Sequence, residues 1–165
     1  MLDVPDSVRP RFVTAGWYPG RQAVVSSAVP TDHPAATLLA AFGGLTVTPD
    51  REAGEECAPQ ILAFRELFPD PSITEGWAGL LGTRLIGVAD ADHGHGELYV
   101  AADGRCFGRS SVHDAFYFKG ASFAEAAERA LLGRRSRPLL RPDQPSVRLY
   151  GIPFTADSPE VYHYR

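Results

Sequence analysis

The apolar positions change period along the chain, and the changes mark out elements. Val8, Phe12 and Ala15 fall four and three residues apart, on one face of a short first helix that Gly16 can end. Trp17-Tyr18-Pro19-Gly20-Arg21 then reads as a turn, because Pro and Gly stand side by side. A second helix is better marked. Thr31 or Asp32 can cap it, Pro34 suits its first turn, and Ala35, Leu38, Leu39 and Phe42 follow the i, i+3, i+4, i+7 rule. Gly43-Gly44 stops it. Residues 45–48 predict a strand and 51–59 an acidic loop, while 60–68 are apolar without a period that separates helix from strand. Trp77, Leu80 and Leu81 predict a short helix closed by Gly82.

A strand series follows. Residues 85–88 predict a strand, and 90–96 a polar, Gly-rich connection. Residues 97–101 and 105–107 flank Asp103-Gly104, a strong hairpin signal, and 115–118 predict one strand more. The clearest helix covers 122–132. Ser122 and Glu125 have capping-box spacing, and Phe123, Ala126, Ala127, Ala130 and Leu131 form one apolar stripe. Its acids lie early and Arg129, Arg134 and Arg135 late, the favourable sense for the helix dipole, and Gly133 is the stop. Residues 134–138 read as a Pro/Arg-rich linker, and 139–165 as an extension with one strand-like run at 147–150. Helices, a meander of strands and a closing helix together predict an α+β class, with one domain over 1–133 and an extension over 134–165.

Composition narrows the function. The 165 residues suit one domain of ordinary size, and 16 Gly with 14 Pro imply many turns rather than a helical bundle. No apolar run approaches a membrane span, and no basic start leads into an apolar stretch, so the expected location is cytoplasmic. Cys57 and Cys106 are too few for a disulfide framework. The formal net charge of −4 argues against nucleic acid as a partner. The charge is unevenly spread. Residues 1–100 hold 13 acids against six Arg, and 101–165 hold ten basic residues against seven acids. Lys119 is the one lysine among 15 arginines.

No catalytic constellation stands out. Asp90, Asp92, His93 and His95 form the densest group of ligand-type residues, yet the calcium-loop pattern fails at Gly94, His95 and Ala101. A solvated loop between strands is the plainer interpretation. His95-Gly96-Glu97 matches half of a zinc deaminase motif, but neither Cys57 nor Cys106 has the second thiolate that the zinc needs. A Cys106–His113 nucleophile requires the fold to join them, and a buried core cysteine is the commoner case. We therefore expect no enzyme, no cofactor and no metal. Trp17 reads as a plug for the core. Tyr18 and Arg21 fit equally an interface or local packing, with Arg21 pairing a carboxylate in the second case. The basic run Arg129, Arg134, Arg135, Arg137 and Arg141 reads as a helix end plus solvated linker.

Several motifs resemble one family. Gly16-Trp17-Tyr18-Pro19-Gly20-Arg21 resembles the G-W-x-P-G-R opening of the third subfamily of SUKH immunity proteins, and Ala41-Phe42-Gly43-Gly44-Leu45 resembles its E-F-G-G-L motif with Ala in place of Glu. Leu81-Gly82-Thr83-Arg84-Leu85 with Gly87, Asp103-Gly104-Arg105-Cys106-Phe107, and Gly120-Ala121-Ser122-Phe123 with Glu125-Ala126 resemble its later motifs, in order. The resemblance implies an α+β domain with a mixed, mostly antiparallel sheet, as in the wider cell-wall-regulator-like superfamily. It also implies a non-enzymatic cytosolic protein that neutralises a toxin domain, of nuclease or deaminase type, by direct binding. A regulatory or scaffold domain without a toxin is the alternative. Acidic loops suit a basic toxin cleft, so the expected contact residues are Glu52, Glu55, Glu56, Asp90 and Asp92, with Tyr18 and Arg21.

Overall fold

The computed structural model describes residues 2–165. Seven strands pair in chain order, each antiparallel to its neighbour: β1 (Thr46–Val47), β2 (Leu62–Phe64), β3 (Leu85–Ala91), β4 (Gly96–Ala101), β5 (Cys106–Ser110), β6 (Ala115–Gly120) and β7 (Arg137–Leu139). Four helices accompany them: α1 (Arg9–Thr14), α2 (Pro34–Phe42), α3 (Pro71–Leu81) and α4 (Phe123–Leu132). A separate hairpin, β8 (Ser146–Leu149) with β9 (Ile152–Thr155), completes the α+β fold.

Alternation along the strands splits the core in two. Leu98, Val100 and Cys106 point to one face, where Phe12 of α1, Phe42 of α2 and Phe123 of α4 meet Phe64 of β2. Phe42 is the hub. Its ring centroid lies 4.9 Å from that of Phe12, 5.1 Å from that of Phe123 and 5.2 Å from that of Phe64. Tyr99, Phe107, Phe116 and Phe118 point to the other face, beneath Trp77 of α3 and the C-terminal Tyr162 and Tyr164.

The local chemistry explains the helices. Ser122 Oγ accepts from the Glu125 N–H at 3.3 Å, the hydroxyl half of the capping box, and Glu125 Oε2 reaches back one residue past the cap to accept from the Ala121 N–H at 2.9 Å. Gly133 ends α4 with φ +68, where an L side chain is strained. The cap of α2 differs from expectation: it is His33, not Thr31 or Asp32. His33 Nδ1 accepts from the Ala35 N–H at 3.1 Å, and Nε2 lies 3.1 Å from the Arg84 carbonyl, so one imidazole fixes the helix start against the segment entering β3.

The connection expected over 90–96 is shorter. β3 runs on to Ala91, and only a tight 3-10 turn, Asp92–Gly94, separates it from β4. Gly87, Ala89 and Ala91 are buried strand residues too small to give an apolar alternation, which hid the strand's second half. Residues 134–138 do not form a free linker. Arg137–Leu139 is an edge strand on β6, and the chain then wraps around that edge. The β8–β9 hairpin turns at Tyr150-Gly151, both with positive φ, as the favoured two-residue hairpin turn requires. Its Val147, Leu149 and Phe154 cover Ala115 and Tyr117 on the helical side of β6. The last residues cross to the other face, where Tyr162 stacks on Phe118 at 4.2 Å.

The arginines of this stretch reach solvent, Arg135 most of all, yet each is also held by a partner in the fold. Arg135 lies over the Tyr150 ring, Arg137 over Tyr162 and Arg141 over Trp77, with guanidinium-to-centroid distances of 5.5, 5.5 and 5.9 Å. Arg137 also donates to the Glu160 and Val161 carbonyls. Cation–π contact and hydrogen bonding thus fasten a segment that has no helix period of its own.

Candidate partner-binding surface

The acidic loop serves the fold before it can serve a partner. The N–H groups of Glu55, Glu56 and Cys57 donate to the Leu132 and Gly133 carbonyls at 2.8–2.9 Å, satisfying the open end of α4. The approach is close: a Cβ on Gly54 would stand 2.6 Å from Gly133 Cα. The side chains add to the clasp. Arg134 Nε donates to Glu55 Oε2 at 2.7 Å, which holds the Glu55 carboxyl below the usual carboxylate range. Glu56 Oε1 accepts from the Arg135 N–H at 3.2 Å. Glu52 is exposed and has no ion-pair partner among the described residues.

The second acidic group is also committed. Asp90 Oδ2 pairs with Arg65 at 3.0 Å, and its Oδ1 accepts from the Gly94 N–H at 2.7 Å. Asp92 Oδ1 accepts from the Ile61 N–H at 3.0 Å and so ties the 3-10 turn to the start of β2. Asp92 and His93 both have positive φ, a conformation that Asp tolerates through such local bonds. Glu97, opposite Asp90 across the β3–β4 ladder, accepts from the Tyr99 hydroxyl and from Arg109. These carboxylates shape turns and strands. Among the described residues no group of three His, Cys, Asp or Glu side chains could hold a metal ion.

The turn after α1 divides its residues. Arg21 does not pair a carboxylate. It donates to the Ala41 and Gly43 carbonyls at 2.9 and 2.8 Å and so closes the C-terminal end of α2. Trp17 is half-buried, with its ring 6.3 Å from Phe42. Tyr18 is 60% exposed, and Val24 further along is fully exposed. Between this turn and α2 lies an open groove of about 700 Å³, with Trp17, Pro19, Ala36 and Ala40 among its walls. An exposed aromatic beside an apolar groove is suited to protein contact.

Cys106 is fully buried in β5, and burial pushes its thiol up to about 12. The nucleophile needs a thiolate, so this site does not support the Cys106–His113 chemistry considered from the sequence. One feature escaped the sequence altogether: a cavity of about 390 Å³ over β5 and β6, floored by Tyr117 and Lys119. A lone lysine in an aromatic strand is its only trace, and the walls reach it from as far along the chain as Cys57 and Tyr150. Lys119 is buried, and burial pulls its ammonium down to about 8.

In comparison with protein families, the model of the SUKH-3 immunity protein family matches residues 4–133. Neither the curated proteins nor the solved structures show a significant match.

Proposed function

The chain belongs to the SUKH-3 immunity protein family, within the SUKH superfamily, and from that premise we propose that it neutralises a cognate toxin domain by direct protein–protein binding, without catalysis. The observation that carries this is the family match over most of the chain. Family membership points to toxin neutralisation. The toxin class we propose is a nuclease or deaminase, met in the cytoplasm of the producing cell.

Two physical features support that choice. A net charge of −4 favours fast encounter with the basic cleft of a nucleic-acid-processing toxin. Tyr18 and Glu52 are exposed and free of internal ion pairs, so they are the contact residues we propose. Arg21, Glu55, Glu56, Asp90 and Asp92 contribute by fixing the backbone around them. No helix among the described residues is long and apolar enough to cross a membrane.

Co-expression tests the proposal. Cells producing the cognate toxin domain should survive when this chain is present at equal level. Death at the same rate, with both proteins shown to be soluble, refutes it.

A further inference from the structure

The cavity over β5 and β6 holds an excess of cations: Lys119, Arg129 and Arg134 line it against the one carboxylate of Asp92. It lies between residues 57–60, the C-terminal end of α4 and the Leu149-Tyr150 end of the β8–β9 hairpin. Lys119 enters from the floor and is only 4% exposed. Its ammonium donates to Gln60 Oε1 at 2.5 Å and stands 5.3 Å from the Tyr117 ring centroid. Both partners are neutral. No ion pair among the described residues includes Lys119. An ammonium has three donors, so two are uncommitted.

Arg129 reaches the same cavity from α4. Its terminal nitrogens donate to the Arg135 carbonyl and to Glu125 Oε1, each at 2.7 Å. Its Nε is buried and has no acceptor. The two cations are close enough that Arg129 disfavours protonation of Lys119, while Asp92 favours it, as do Cys57 and Cys106 when ionised; burial outweighs them all. Buried cations with spare donors are stable when an anion sits between them and costly otherwise.

We propose that the Lys119–Arg129 cavity binds a small oxyanion, a carboxylate or phosphate group on a metabolite-sized molecule. The anionic oxygens accept from Lys119 Nζ and Arg129 Nε, and the body of the ligand rests on Tyr117 and Tyr150. The cavity volume lies in the range of small-molecule sites. This inference does not depend on the toxin-binding proposal, because it rests on the walls of this cavity alone.

The chain itself offers a selective probe, since Lys119 is its only lysine. Growth on ¹³C-lysine places the Cδ and Cε signals of one side chain in the spectrum, and both report protonation. The full chain is titrated with inorganic phosphate in one arm and acetate in the other, with ionic strength held by chloride. Saturable movement of these signals is expected in at least one arm, with the Lys119 midpoint rising by about one pH unit as the anion stabilises the ammonium. The arm with the tighter response assigns the phosphate or the carboxylate class. Lys119→Met should weaken binding about tenfold or more, and Arg129→Gln about threefold. Signals unmoved in both arms overturn the proposal, and so does undiminished binding by a folded Lys119→Met variant. Should that variant not fold, the titration of the natural chain decides alone.

Discussion

The two faces of the sheet are closed by different means. On one, α1, α2 and α4 deliver Phe12, Phe42 and Phe123 onto Phe64, and every helix has a cap or a stop that its sequence encodes. On the other, α3 shares the cover with a tail that has no regular structure beyond Thr155. There Tyr162 lies flat on Phe118, its hydroxyl accepts from Arg105 at 3.1 Å, and Arg137 lies over its outer face. Periodic apolar burial closes the first face. Aromatic stacking and arginine contacts, each needing only one residue in place, close the second.

The contrast implies unequal losses on truncation. Phe42→Ala should cost about 3 to 5 kcal/mol, because the ring is wholly buried and touches three others. Denaturant melts measure it, and a loss below that of a tail variant would reverse the ranking of the faces. Tyr162→Ala should cost about 2 kcal/mol, less because the residue is only partly buried. Its melt should also lose cooperativity first at the C-terminus, read as faster amide exchange over 146–161. Ser122→Ala should cost about 1 kcal/mol through the lost cap.

The same contrast explains what was legible. α2, α4 and the Asp103-Gly104 hairpin follow from spacing and turn chemistry that act within a few residues. β9, β7 and the role of the arginines do not, because their partners lie far along the chain: Arg137 meets Val161 and Tyr162, and Arg105 meets Tyr162. His33 is not legible as a cap, because imidazole is not among the usual capping side chains, although its Nδ1 accepts as a carboxylate would. The candidate contact set shows the limit most clearly. Charge and loop composition pointed to Glu52, Glu55 and Glu56 alike, whereas only spatial neighbours separate them. Glu55 and Glu56 close a helix that begins 67 or more positions later, and Glu52 does not.

The smallest effects sharpen that last distinction. Glu55→Lys should lower the melting temperature, because it sets two cations together at the α4 clasp. Glu52→Lys should leave the melting temperature unchanged and slow association with a toxin partner, more at low salt than at high. Equal melting temperatures for the two variants would remove the clasp from the explanation of this loop.

Direct binding is the claim on which the functional conclusion rests. Calorimetric titration of the purified chain with the purified cognate toxin domain measures it most directly. We expect a 1:1 complex with Kd of about 10 nM or tighter, weakened about tenfold by Tyr18→Ala. No heat of binding between two folded proteins, at concentrations of about 10 µM, would contradict it.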